Sequence, residues 1–140
     1  MGPILPGTRG TEGYRVLLID DDPNVLPCLT EILQQLTNYT VFTADNGLDG
    51  LEQIYQRRPH CVVVDISMPG IDGFQVIRTI RAEPELANTA FVILTAMTQD
   101  HYRNTGIAVG ADQFLLKPMR TLPFLDAVHH AIARRQQFAR

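Results

Sequence analysis

An unbroken apolar run that ends in a carboxylate constrains this sequence more than any other feature. Residues 61–64 read Cys-Val-Val-Val, Asp65 follows, and a Pro69-Gly70 turn closes the stretch. A run rich in β-branched residues is typical of a strand covered on both faces, as in parallel sheets between helices. Ligands of such sheets bind outside the carboxyl ends of the strands. The stretch therefore predicts a buried strand that delivers Asp65 to a surface, although an aspartate there is also a common loop or cap residue.

The size and composition indicate one ordinary globular domain. The chain has 140 residues, 45% of them hydrophobic and 19% charged, with a net charge of −3. This balance provides no basic surface for nucleic acid, so we expect no direct nucleic-acid binding. No run approaches the ~18 apolar residues of a membrane span, and no signal-peptide pattern begins the chain. Cys28 and Cys61 are predicted to be small core residues, not a disulfide, which favours a reducing cytoplasm.

Five short apolar runs alternate with five helical patterns over most of the chain. Residues 1–13 precede the first run, carry four glycines and two prolines, and are predicted to be a flexible leader. The alternation predicts an α/β fold, a flavodoxin-like (βα)5 doubly wound parallel sheet of order 2-1-3-4-5 with helices on both faces. The predicted strands lie at residues 14–19, 40–43, 61–64, 91–94 and 114–116.

The helical patterns differ in quality. The first has an apolar stripe from Val25 to Leu36, in which Pro27 should disturb the first turns. The second places Leu48 and Tyr55, with Leu51 between them, on one apolar face. The fourth, residues 98–110, contains a glycine and few apolar residues, so we expect the weakest helix there.

Polar side chains follow four of the five predicted strands. In a parallel sheet all of them meet at one edge, where three carboxylates would repel each other unless a cation held them. Carboxylates with a backbone carbonyl and water are the ligand set of Mg²⁺, and Ser67 could supply the carbonyl. The residues at the strand ends are Asp20, Asp21, Asp65, Thr95 and Lys117.

This set of residues suits phosphoryl chemistry. Asp65 would be the nucleophile that forms an acyl phosphate, and Thr95 and Lys117 would bind the phosphoryl oxygens. Each residue also has a simpler interpretation when taken alone. The run from Asp20 to Asp22 could cap the first helix, with Asp22 before Pro23 as the cap, and Thr95 or Lys117 could be an ordinary loop residue. Their joint placement favours the functional interpretation.

Four segments resemble the receiver domain of two-component response regulators, and they occur in that family's order. The resemblance covers about residues 14–136 and suggests a receiver domain at residues 14–137. It implies that Asp65 accepts a phosphoryl group and that Asp20 and Asp21 hold Mg²⁺ together with Asp65 and the Ser67 carbonyl. The segments are VLLIDDDP (16–23), VVDISMPGIDGF (63–74), VILTA (92–96) and GADQFLLKP (110–118).

The same resemblance implies partners and a switch. The donor would be a phosphohistidine on a sensor histidine kinase or a histidine phosphotransfer protein. Thr95 and Phe114 would transmit the change to the face made by helix 4, strand 5 and helix 5, which an output domain or downstream protein would contact. Phe114 lacks the hydroxyl of the family's frequent tyrosine, and it could equally be a core residue. The resemblance also leaves open that two copies form a homodimer on phosphorylation. It implies that the protein is not an enzyme, except that it would catalyse its own aspartyl phosphorylation and dephosphorylation.

Two other functions fit parts of the pattern. A metal-dependent phosphatase of the haloacid dehalogenase kind expects a second aspartate two residues after the nucleophile, where Ser67 stands. A flavin-binding protein of this fold needs a phosphate-binding loop after the first strand, where Asp20 and Asp21 would repel phosphate. A non-phosphorylated interaction module of the same fold is the remaining alternative.

Overall fold

Five strands and five helices alternate along the chain in a computed structural model that describes residues 13–138. All strand pairings are parallel and the sheet order is β2-β1-β3-β4-β5, which confirms the predicted fold. The predicted leader, residues 1–13, lies outside the described residues except for Gly13. The strands are β1 (Arg15–Ile19), β2 (Thr40–Ala44), β3 (Cys61–Asp65), β4 (Ala90–Thr95) and β5 (Gln113–Leu116); the helices are α1 (Val25–Leu36), α2 (Gly47–Arg57), α3 (Gly73–Arg81), α4 (Asp100–Val109) and α5 (Thr121–Phe138).

The two central strands are buried along their whole length. Every residue of β3 and β4 is buried, as the continuous apolar runs predict. Because side chains alternate along a strand, Val63 packs with α1 and α5, and its neighbours Val62 and Val64 pack with α2 and α3. The helices therefore cover both faces of the sheet. No helix within residues 13–138 is long and apolar enough to cross a membrane.

Helix α1 departs from the sequence expectations in two respects. The predicted disturbance at Pro27 is wrong, because the helix runs without a break from Val25 and Pro27 is its third residue. The first four N–H groups of a helix have no intrahelical acceptor, so proline costs no hydrogen bond there. The predicted burial of Cys28 is also wrong: this thiol is exposed, whereas Cys61 is buried, and both are free.

Helix α2 buries only part of the predicted apolar face, since Leu51 is half-buried and packs against the core. Leu48 and Tyr55 are 59% and 43% exposed. The helix instead turns Gly47, Gly50 and Ile54 inward. A Cβ atom on Gly50 would lie only 2.5 Å from Cδ1 of Ile19, so the absent side chain lets the helix approach β1 closely. A pattern of apolar side chains alone does not show this contact.

Helix α4 is held differently at its two ends. Its N-cap residue, Gln99, makes no capping hydrogen bond through its side chain. At the other end, Gly110 adopts a left-handed conformation with φ of 104°, which glycine tolerates best. The Gly110 carbonyl accepts hydrogen bonds from Nη2 and Nε of Arg81 at 2.7 and 3.2 Å. The end of α4 nearer the carboxyl ends of the strands therefore has fewer restraints.

A buried carboxylate reinforces the restrained end. The side chain of Asp112 has no exposed surface and lies 3.2 Å from Arg81, 2.9 Å from Arg135 and 3.1 Å from Arg134. It also accepts a hydrogen bond from the Phe91 N–H at 2.9 Å, which ties it to the start of β4. Burial and the neighbouring Arg135 lower the pKa of Arg81 to about 10. Arg81 thus remains charged at neutral pH. We call Asp112 and these three arginines the Asp112 network.

Candidate functional site

The sheet brings four of the predicted residues to one edge. Asp20 directly follows β1, Asp65 and Thr95 end β3 and β4, and Lys117 directly follows β5. The register aligns these ends, since Ile19 pairs with Val64. The three residues at the ends of the inner strands are nearly inaccessible, with exposures of 1% for Asp20, 4% for Asp65 and 2% for Thr95. The site is therefore built on rigid strand ends.

Lys117 lies between two carboxylates. Its Nζ atom is 2.8 Å from Oδ2 of Asp20 and 3.0 Å from Oδ2 of Asp65. Burial by itself lowers the pKa of Lys117, but the hydrogen bonds and charges of Asp20 and Asp65 outweigh it, so the pKa lies above its ordinary value. Lys117 therefore carries a positive charge at neutral pH. It is also the only lysine in the 140-residue sequence.

Asp65 is oriented through both of its oxygens. Oδ1 accepts a hydrogen bond from the Ser67 N–H at 2.9 Å, and Oδ2 faces Lys117. Burial raises the pKa of Asp65 above its ordinary value, and the negative charge of Asp20 raises it further; the bonds from Ser67 and Lys117 oppose this. The structure shows the Ser67 amide at Asp65, whereas the metal-binding role of its carbonyl stays a prediction.

Three carboxylates form a cluster that suits a divalent cation. One oxygen from each of Asp20, Asp21 and Asp65 lies within 4.8 Å of the others. Asp21 is exposed and stands at the rim, while the Asp22 N–H donates to Oδ1 of Asp20 at 2.9 Å and orients it. Lys117 supplies a single positive charge against these carboxylates, so an excess of negative charge remains. A set of oxygen donors with excess negative charge fits Mg²⁺.

Thr95 and Phe114 lie beyond the carboxylates. The hydroxyl of Thr95 accepts a hydrogen bond from the Met97 N–H at 2.8 Å, so it is engaged in its own loop. Phe114 pairs with Ile93 in the β-sheet register and its ring contacts α4. The structure thus brings together four of the predicted residues, Asp20, Asp21, Asp65 and Lys117, and places Thr95 at the same edge of the sheet. Phe114 lies within β5, where its ring contacts α4.

Sequence reasoning missed one residue that shapes the site. A Cβ atom on Gly73 would lie 2.7 Å from the backbone oxygen of Asp65, so only glycine lets α3 begin this close to the acceptor strand. Asp72 caps α3 and forms a reciprocal capping box with Gln75. The proximity of Gly73 to Asp65 depends on the tertiary fold and is not visible in the sequence.

Comparison with known proteins agrees with this geometry. The family model described as "Response regulator receiver domain" matches residues 16–129. The chain belongs to this family. The receiver domain is 38% identical over 120 residues to the transcriptional regulatory protein AfsQ1 of Streptomyces coelicolor, a match that covers 86% of this chain and 51% of AfsQ1. The chain therefore spans about half the length of this relative.

Shorter relatives match from end to end. Protein PilH of Pseudomonas aeruginosa is 32% identical over 119 residues, which cover 85% of this chain and 98% of PilH. The crystal structure of the chemotaxis protein CheY4 of Vibrio cholerae superimposes with a TM-score of 0.75 and 29% identity, covering 82% of this chain and 98% of CheY4. Receiver domains of this family thus occur both alone and as part of longer chains.

Proposed function

We propose that this receiver domain is a phosphoacceptor signalling domain in which Asp65 takes a phosphoryl group from a phosphohistidine. The donor would be a sensor histidine kinase or a histidine phosphotransfer protein. The observation that carries the proposal is the placement of Asp65 at a buried strand end, in contact with Lys117 and beside two further carboxylates. An aspartate that served only as a loop or cap residue would not require a lysine and two carboxylates beside it.

The transfer is a substitution at phosphorus. A carboxylate oxygen of Asp65 forms a bond to phosphorus as the bond from phosphorus to the histidine nitrogen breaks, and the freed imidazole takes up a proton from solvent. Lys117 and the Thr95 hydroxyl donate to phosphoryl oxygens of the acyl phosphate, which requires Thr95 to leave its bond with Met97. Positioning and charge supply most of the catalysis in phosphoryl transfer.

Asp20, Asp21 and Asp65 would hold Mg²⁺, together with the Ser67 carbonyl. When bound, the cation neutralises charge between the carboxylate and the incoming phosphoryl group. Two of these carboxylates are already oriented by backbone N–H groups, Asp20 by that of Asp22 and Asp65 by that of Ser67. Ser67 stands where a phosphatase of the haloacid dehalogenase kind has its acid/base aspartate, so turnover of an external substrate is not favoured.

The output would pass through the face of α4, β5 and α5. Phosphorylation adds about two negative charges and new hydrogen-bond acceptors, which bias an element that is weakly restrained near the site. The N-terminal end of α4 is such an element. This face would contact an output domain or a downstream protein, and it could pair two copies. We propose residues 14–137 as the bounds of the domain and the cytoplasm as its location, with which the free thiols of Cys28 and Cys61 are consistent.

Labelling with an acyl phosphate tests the acceptor. The full chain is incubated with Mg²⁺ and acetyl phosphate radiolabelled on phosphorus, and the incorporated label is counted. We expect one hydroxylamine-sensitive phosphoryl group per chain in the wild type and none in Asp65→Asn. The matched control is Asp72→Asn, which keeps a capping side chain on α3 and should label normally. Undiminished labelling of Asp65→Asn would assign the acceptor to another residue.

A further inference from the structure

The ring of Phe114 occupies space that only a glycine at position 106 leaves open. Gly106 is buried on the inner side of α4. A Cβ atom there would overlap Cζ of Phe114 and lie 2.9 Å from its Cε1 and 2.8 Å from Cδ1 of Ile93. The guanidinium of Arg103, one turn earlier in α4, lies over the ring, 5.4 Å from its centroid. The ring is thus held between α4 and the sheet.

The helix itself is poorly able to yield if position 106 gains a side chain. Gly110, one turn later, is fixed by the two hydrogen bonds from Arg81 and by the neighbouring Asp112 network. The atoms that a new methyl group would meet are instead the far end of a phenylalanine side chain and one isoleucine methyl. The aromatic ring is therefore the part that moves.

Phe114 lines two separate cavities. One, of about 320 Å³, is shared with Thr95, Met97 and Tyr102. The other, of about 400 Å³, is shared with Arg134 and Arg135 and is the more polar. An apolar ring that is expelled from α4 is better accommodated beside Thr95, because the arginine-lined cavity would lose hydration. The displaced ring therefore moves toward the site.

We propose that Gly106 is a positioning residue that sets the resting place of Phe114, and that a side chain at position 106 drives the ring into the cavity beside Thr95. This inference rests on the proposed function, in which Thr95 moves toward the phosphoryl group. That movement enlarges the same cavity. A methyl group at position 106 and a phosphoryl group on Asp65 therefore both favour the state in which the ring of Phe114 fills the cavity beside Thr95. By linkage, the methyl group must then raise the affinity of the site for a phosphoryl group.

The first test is a thermal-unfolding cycle on the full chain without Mg²⁺. Alanine is the better helix former, so Gly106→Ala should raise the unfolding midpoint in a Phe114→Ala background. In the wild-type background the overlap with the ring should cancel or reverse that gain. An equal rise in both backgrounds would overturn the proposal, because the ring would then not depend on Gly106. If Gly106→Ala folds poorly with Phe114 present, the double variant with Phe114→Ala should recover the fold, and failure to recover it would also overturn the proposal.

The second test measures affinity for the phosphoryl mimic beryllium trifluoride with Mg²⁺. Gly106→Ala should bind it about fivefold more tightly than the wild type, or tighter still. The matched control is Ala108→Gly, which weakens the same helix at an exposed position and should not tighten binding. Unchanged or weaker binding by Gly106→Ala overturns the proposal. If the wild type fails to bind the mimic, the proposed function is wrong, and the unfolding cycle alone decides the role of Gly106.

Discussion

The ammonium group of Lys117 lies 2.8 Å from a carboxylate of Asp20 that is only 1% exposed. A charge taken out of water is costly unless a counter-charge lies close by. In the absence of a metal, Lys117 provides that counter-charge for Asp20 and also for Asp65. Lys117 and the proposed divalent cation would therefore stabilise the same carboxylates.

Replacing this lysine should expose the dependence on metal. We expect Lys117→Met to lower the free energy of unfolding without Mg²⁺ by about 2 kcal/mol, because two buried carboxylates lose their counter-charge. Added Mg²⁺ should restore more stability to the variant than to the wild type. Urea unfolding in EDTA and in millimolar Mg²⁺ measures both effects. Lys117→Arg keeps the charge and is the control; an equal response to Mg²⁺ in all three proteins would contradict the shared role.

Neutralising Asp65 should have the opposite effect on stability. The pKa of Asp65 in the folded chain lies above its ordinary value of 3.8, so the ionised carboxylate destabilises the folded state at neutral pH. We expect Asp65→Asn to unfold at a temperature a few degrees higher at pH 7 without metal, equivalent to about 1 kcal/mol. A folded pKa above the unfolded one means that stability rises as the pH falls through that folded pKa. The advantage of the variant should therefore shrink in acid, and an advantage independent of pH would contradict the assignment to this carboxyl group.

His60 should make the fold sensitive to mild acid. Its Nδ1 accepts a hydrogen bond from the Arg15 N–H at 3.0 Å, which a protonated ring cannot do. Burial and the positive charge of Arg15 lower the pKa of His60 below 6.5. The unfolded chain thus binds the proton more tightly, and stability is lost as the pH falls below about 6.5.

The variant His60→Asn keeps an acceptor oxygen near the position of Nδ1 but does not titrate. We expect the stability of the wild type to decline more between pH 7 and pH 5 than that of this variant, as measured by urea unfolding at each pH. The comparison variant is His130→Asn, which removes an exposed imidazole elsewhere on the chain. Parallel profiles for all three proteins would show that His60 does not titrate in this range.

Buried and exposed ion pairs should differ strongly in this chain. Asp112→Asn leaves Arg81 and Arg135, whose side chains are each only 16% exposed, without their carboxylate. We expect this to cost about 3 kcal/mol of unfolding free energy. Glu85→Gln removes an exposed pair with Arg58 and should cost about 0.5 kcal/mol or less. Equal costs in urea unfolding would mean that the Asp112 network contributes no more than a surface contact.

The sheet and the site were predictable for the same reason. Continuous apolar runs identified the buried strands, and parallel strands must bring the residues after them to one edge. The sequence alone therefore predicts that Asp20, Asp65 and Lys117 lie together at one edge of the sheet. The pairing of Lys117 with both carboxylates was not predictable, because it depends on the length and direction of one side chain.

The errors involve residues whose role depends on a neighbour distant in sequence. The buried face of α2 is set by Gly50 against Ile19, a contact that no apolar periodicity records. From the sequence, the glycine of α4, Gly106, indicates only a weak helix, because helix propensity reports the cost of glycine and not the ring that fills the space beside it. Glycine contacts are visible only when the partner's position in the fold is known.

The presence of a single lysine gives the site its own spectroscopic label. When the protein is expressed with lysine enriched in ¹³C at the ε position, Lys117 gives the only lysine signal in the NMR spectrum. Its chemical shift reports the charges of Asp20 and Asp65 directly, without assignment of the other residues. Titration with Mg²⁺, acetyl phosphate or acid can therefore be followed at the very group that joins these carboxylates.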